Sequence, residues 1–239
     1  MPTTYAHDLF GKEVYKKLPS DMKALIRRHG DLYRIGLHGP DILFYYMVSK
    51  NPVTQFGIDM HHEKARAFFE EGMRQVRRNN DEALLAYLLG FGCHYMFDSA
   101  CHPYVNQMAA EGVVPHIVLE KEFDRVLMEE TSKDPDHYYP ACGIVPKMEY
   151  AKVIHRAIPL VKTINIYLSV KIYTFFVRSF LPRSVMTFVR RNYNSVQIKY
   201  NCLYFHICTS ALSLLILYSL PFAANKNPSP LTSENTVSF

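Results

Sequence analysis

The sequence predicts an all-α protein, a bundle of several helices. Apolar residues recur at three- and four-residue spacing through most of the first 130 positions. One stretch, Asp81 to about Ala100, is apolar almost all round, as the central helix of a bundle must be. Strand signals are weak, because the β-branched pair Val113-Val114 is too short to support a sheet.

Taken in order, Ser20 can cap a helix from Asp21 to Arg28 that places Met22, Leu25 and Ile26 on one face, with Gly30 as its stop. Gly39-Pro40-Asp41 opens an apolar run to Val48; Pro40 suits a first helical turn, and Asp41 stands where the helix dipole favours an anion. Glu63 to Arg78 reads as an amphipathic helix with Ala67, Phe68 and Val76 inward. Asn79-Asn80-Asp81 is a break followed by a cap for the central helix. Pro115 opens a further helix, His116 to Glu130, and Ile154 to Phe180 is apolar and basic, interrupted by Pro159.

The chain has 239 residues, 49% hydrophobic and 21% charged, so it can bury a core. Its five Cys follow no paired framework, which predicts reduced thiols. The net charge of +5 hides an asymmetry: residues 1–149 carry 17 bases and 21 acids, and residues 150–239 carry 10 bases and the single acid Glu234. Two composition regimes meet near residue 150. The predicted organisation is a metal-binding helical part over 1–145, a basic apolar helical extension over 146–200, a transmembrane candidate over 201–225 and a polar tail over 226–239.

The N-terminus, Met1 to His7, has neither the basic nor the apolar region of a secretory signal, which predicts a cytoplasmic catalytic part. Cys202–Ala224 is 23 residues without Asp, Glu, Lys or Arg. As a helix it would reach roughly 35 Å, enough for the roughly 30 Å hydrocarbon core. Arg183, Arg190, Arg191 and Lys199 before it, against Lys226 after it, would keep residues 1–200 on the cytoplasmic side of a membrane anchor. A buried core helix and a disrupted C-terminus are the alternatives.

The chemistry concentrates in one stretch. His94, Asp98 and His102 stand at i, i+4 and i+8, along one stripe of a helix that is otherwise apolar. A buried carboxylate between imidazoles is costly unless compensated, and a divalent cation compensates it directly. The alternative is a satisfied polar network in a helix core. His116 and Glu120 repeat the i, i+4 spacing on the next helix. His7, Asp41 and the pair His61-His62 are further candidates near helix boundaries. No GxSxG elbow, Walker loop or dinucleotide fingerprint offers rival chemistry.

In this order and spacing, His7, Gly39-Pro40-Asp41, His61, His94-x-x-x-Asp98, His102 and His116-x-x-x-Glu120 resemble the zinc-dependent phospholipase C family, which is related to single-strand-specific nucleases of the P1 type. The resemblance covers roughly residues 1–135. It implies an all-α fold with two or three Zn2+ ions in a cleft between helices. By position it assigns Asp41, His61, His94 and Asp98 to one ion, His102, His116 and Glu120 to a second, and His7 with a bridging Asp98 to a third. Spacing does not decide between His61 and His62; the resemblance favours His61.

The resulting expectation is a zinc-dependent phosphodiesterase acting on phospholipid, with Asp41 as general base and Asp98 as the second catalytic carboxylate. Phe44, Tyr45, Tyr46, Tyr95 and Tyr104 could line the substrate cleft or pack in the core. The acidic first half disfavours long nucleic acid as a partner. A nuclease or nucleotidase of the same fold and a non-catalytic zinc-containing membrane-associated protein are the alternatives, and the oligomeric state is open.

Overall fold

A computed structural model describes residues 4–46, 50–111 and 115–180. Among these, helices follow one another without a strand: α1 (Thr4–Lys17), α2 (Ser20–Arg28), α3 (Gly30–Gly36), a 3-10 segment (Gly39–Tyr45), α4 (Pro52–His62), α5 (Ala65–Asn79), α6 (Glu82–Ala110), α7 (His116–Glu130), α8 (Met148–Ala157) and α9 (Thr163–Phe180). The all-α expectation holds.

Helix α6 is the axis. Leu84 to Phe91 are buried without a break, so neighbours must cover every side of its first half. Asp81 caps it, accepting the Leu84 N–H at 3.0 Å, and the left-handed Asn80 (φ 50°) ends α5 just before. Helix α3 lies closest to it. A Cβ at Gly90 would stand 2.1 Å from the Tyr33 carbonyl oxygen, and one at Gly36 would stand 2.3 Å from that of Tyr87. Only glycine lets the two backbones meet so closely.

Several boundaries differ from those the sequence suggested. The sequence ended the central helix near Ala100, but α6 runs ten residues further, through Pro103. A proline inside a helix costs about 3 kcal/mol. Met108 and Leu119 of α7 offset this by burying each other in a small satellite cluster with Tyr104 and Val105; full burial of such a side chain contributes roughly 1.5–3 kcal/mol. Pro19, not Ser20, occupies the cap position of α2, and no side chain caps that end. Gly30 opens α3 instead of merely ending α2. Ala67, expected inside, is exposed; Gly72 and Val76 make the buried face of α5.

The composition break near residue 150 has no counterpart in the core. Helix α8 buries Ala151, Val153, Ile154 and Ala157, and α9 buries Ile166, Val170, Tyr173 and Val177, all in the same cluster as Phe10, Ile35 and Leu84. Helix α9 packs on the 3-10 segment through Tyr45 and Tyr173, whose rings lie 4.8 Å apart. Cys202–Ala224 lies outside the described residues, and no helix among the described residues is long and apolar enough to cross a membrane.

Candidate metal centre

Five elements bring the eight expected residues to one place. On α6, His94, Asp98 and His102 form the stripe their spacing requires, graded from inside to outside. Their side chains are 2%, 14% and 32% exposed. His94 Nε2 is 3.3 Å from Asp98 Oδ2. His102 Nδ1–H donates to the Asp98 carbonyl at 3.2 Å, which turns Nε2 towards Glu120.

Helix α1 adds His7, whose Nε2 is 3.2 Å from Asp98 Oδ1 and whose ring stacks on that of His94 at 4.4 Å. The 3-10 segment adds Asp41, fully buried, 3.8 Å from His94 Nδ1 through its Oδ2. This approach depends on Gly39: its φ is +47°, and a Cβ there would stand 2.2 Å from the His94 ring. The last turn of α4 adds His61. Its Nδ1–H donates to the Gly57 carbonyl at 2.9 Å, its ring stacks on Phe44, and its Nε2 reaches Asp41 Oδ1 at 2.9 Å. His62, the other member of the pair, lines the cleft but stands in none of the clusters below. The first turn of α7 adds His116 and Glu120, 2.8 Å apart, with His102 Nε2 3.4 Å from the same Glu120 oxygen.

Three groups result, each with one potential ligand atom per residue and all atoms within 4.8 Å of one another: His7, Asp41 and His94; His61, His94 and Asp98; His102, His116 and Glu120. The last is the set the resemblance assigned to one ion. The other five residues divide differently, with Asp41 beside His7 and His94 common to two groups.

The donor set suits zinc. Imidazole nitrogens and carboxylate oxygens about 2.0–2.1 Å from a tetrahedral ion stand ~3.3 Å apart, close to the separations of His94, His7 and Asp98. Asp41 Oδ1 and Oδ2, Asp98 Oδ2, His7 Nδ1 and His94 Nδ1 are buried and make no hydrogen bond of acceptable geometry. Buried polar atoms are nearly always satisfied, so this many together mark a place for a cation.

Electrostatics prepare Asp98, Glu120 and His94 as ligands, whereas His102 holds a proton that a metal would displace. Burial favours a neutral Asp98, but His94, His7 and His102 overcome it and hold the carboxyl well below its usual range. Burial lowers His94, favouring the neutral imidazole that a metal needs. The hydrogen bond to Glu120 raises His102 to about 9. Burial opposes a charged Glu120 as well, yet the bond from His102 keeps it below the ordinary carboxylate value.

A cleft of about 440 Å³ opens over His61, His94, Asp98 and His102, with Phe68 and Tyr95 on its walls. Of the five aromatics expected as cleft or core, Tyr95 alone lines the cleft. Tyr45 packs on Tyr173, Tyr46 donates to Asn165, Tyr104 joins the satellite cluster and Phe44 backs His61. The sequence reading did not single out Gly57, whose carbonyl orients His61 one helical turn on. The i, i+4 spacing on α4 was the signal for it, but α4 itself went unread.

No curated protein matches the chain, and no solved structure matches it. The family model described as zinc dependent phospholipase C matches residues 6–171. That span takes in all eight residues of the cluster and continues to α9, beyond the 135 positions over which the resemblance was legible. The chain therefore belongs to the zinc-dependent phospholipase C family.

Proposed function

We propose that this chain hydrolyses the phosphodiester bond between a phospholipid's glycerol and its head group, with two or three zinc ions held by His7, Asp41, His61, His94, Asp98, His102, His116 and Glu120. The observation that carries this reading is the convergence of three clusters of imidazoles and carboxylates, two of them sharing His94, beside one open cleft. Zinc bound there would supply an acidified water and positive charge for the phosphoryl oxygens. Carboxylates with no thiolates, beside solvent, fit a catalytic site better than a closed structural one.

The chain's own groups divide the remaining work. Asp98 lines the cleft and stays ionised, so it can accept a hydrogen bond from water and orient it. Asp41, expected as the general base, is fully buried and off the cleft wall. With Oδ1 2.9 Å from His61 Nε2, it serves as a ligand beside His61 in this reading. Tyr95 and Phe68 offer an aromatic wall to a head group, and the burial of His94 keeps bulk water from the inner cluster.

The test is turnover of phosphatidylcholine and of single-stranded DNA by purified full chain, with and without chelator. Diacylglycerol release that chelator abolishes and zinc restores is the expected result; Asp98→Asn and His94→Ala should each lower it at least about 100-fold, together with zinc content. Nucleotide release without diacylglycerol would select the nuclease reading. Full zinc content with turnover of neither substrate would select the non-catalytic one.

A further inference from the structure

Asp124 is buried beside the cluster but belongs to none of its three groups. It lies one helical turn beyond Glu120 on α7 and is 4% exposed. Its Oδ2 accepts the Tyr5 N–H at 3.0 Å, and its Oδ1 accepts the Ala6 N–H at 2.7 Å. These are first-turn amides of α1, which no carbonyl of that helix can satisfy. Local caps are normally short neutral or acidic side chains at the helix start; here both oxygens of a carboxylate arrive from another helix, 118 and 119 positions away.

That choice is expensive. Burial pushes the Asp124 carboxyl up to about 7 despite the two amides. A surface-exposed Ser or Asp at the cap would satisfy an amide without burying a charge. The next residue along the chain supplies the reason. His7 follows Ala6 directly, is 2% exposed, and must place Nε2 3.2 Å from Asp98. Thr131, the residue that follows α7, holds the same turn a second time: its Oγ1 hydrogen-bonds the Tyr5 hydroxyl at 2.5 Å.

We infer that Asp124 is a positioning residue for the metal centre: by holding the Tyr5 and Ala6 amides, it fixes the start of α1 so that His7 reaches Asp98. The inference rests on the reading of His7 as a ligand. It makes α7 serve both ends of the cluster, with His116 and Glu120 as ligands at one end and Asp124 as the brace for His7 at the other.

Asp124→Asn tests it on the zinc-loaded full chain. The amide keeps the size but offers one acceptor oxygen and turns an NH2 towards a backbone N–H. In chelator competition, the most weakly held zinc should leave about 10–100-fold more readily, while the zinc of His102, His116 and Glu120 is retained. Hydrogen exchange at Tyr5 and Ala6 should accelerate while the amides of α7 stay protected. His7→Ala should lose the same ion, and the double variant should be no worse than His7→Ala.

Unchanged zinc retention in Asp124→Asn, with His7→Ala losing an ion, would overturn the inference and leave the function standing. Equal weakening of every zinc together with global loss of protection would also overturn it, since Asp124 would then be merely structural. Full zinc retention in His7→Ala would instead defeat the ligand reading beneath it. If Asp124→Asn fails to fold, the wild type decides: Tyr5 and Ala6 amides as protected as mid-α7 support the brace, and unprotected ones refute it.

Discussion

His102 stands at the outer end of the stripe on α6, its side chain 32% exposed. Its bond to Glu120 raises it to about 9, whereas an unfolded chain's histidine titrates near 6.5. Because the folded-state value is the higher one, the stabilisation from this pair in zinc-free protein is complete below about 6.5 and is lost as pH rises through about 9. His61, raised by Asp41 against the opposing effect of burial, acts with the same sign. The melting temperature of chelated protein should therefore fall between about pH 6.5 and pH 9. A melting temperature that rises across that window would contradict the charged imidazole–carboxylate pairing. Zinc should flatten the profile, since it replaces those protons.

At the scale of elements, the contact between α3 and α6 decides whether the site assembles. Helix α3 leads straight into His38, Gly39 and Asp41, and α6 carries His94, so the crossing at Gly36 and Gly90 sets their separation. Gly90→Ala would press a methyl group against the Tyr33 carbonyl oxygen, which cannot move without its helix. Overpacking of this kind costs about 1–3 kcal/mol. Urea denaturation should show a midpoint lowered accordingly, and zinc retention should weaken with it. Gly30→Ala is the control, because a Cβ there meets nothing within 4 Å. Equal stability of the two variants would remove the argument for a forced close crossing.

The same scale explains what the sequence could reveal. His94, Asp98 and His102 sit on one helix, as do His116 and Glu120, and helical rise converts spacing into geometry. These five residues were legible from pattern. His7 and His61 were not, because their helices lack a readable stripe. The buried face of α1 contains Thr4, His7 and Asp8 among Phe10 and Val14, and α4 buries only Val53 and Gly57. The sequence marked them only as candidates near helix boundaries, and the family resemblance gave them their role as ligands. Asp124 gave no signal at all, since its partners are backbone amides more than a hundred positions distant.

At the scale of the whole molecule, charge and core follow different boundaries. The surface turns basic after residue 150, but the core runs on through α9, where Tyr173 bonds Thr4 at 2.8 Å and touches His38 behind His7. The apolar character of α9 shows in the sequence; that its Tyr173 reaches back to Thr4 at the start of α1 does not, because long-range packing leaves no local pattern. The account as a whole depends on eight dispersed side chains acting as one centre for zinc. X-ray absorption at the zinc edge, combined with metal content per chain in the purified full-length protein, tests this most directly. The predicted result is more than one zinc per chain, surrounded by nitrogen and oxygen at about 2.0–2.1 Å with no sulfur near 2.3 Å; a chain holding one ion or none, or a spectrum with a sulfur shell, would contradict it.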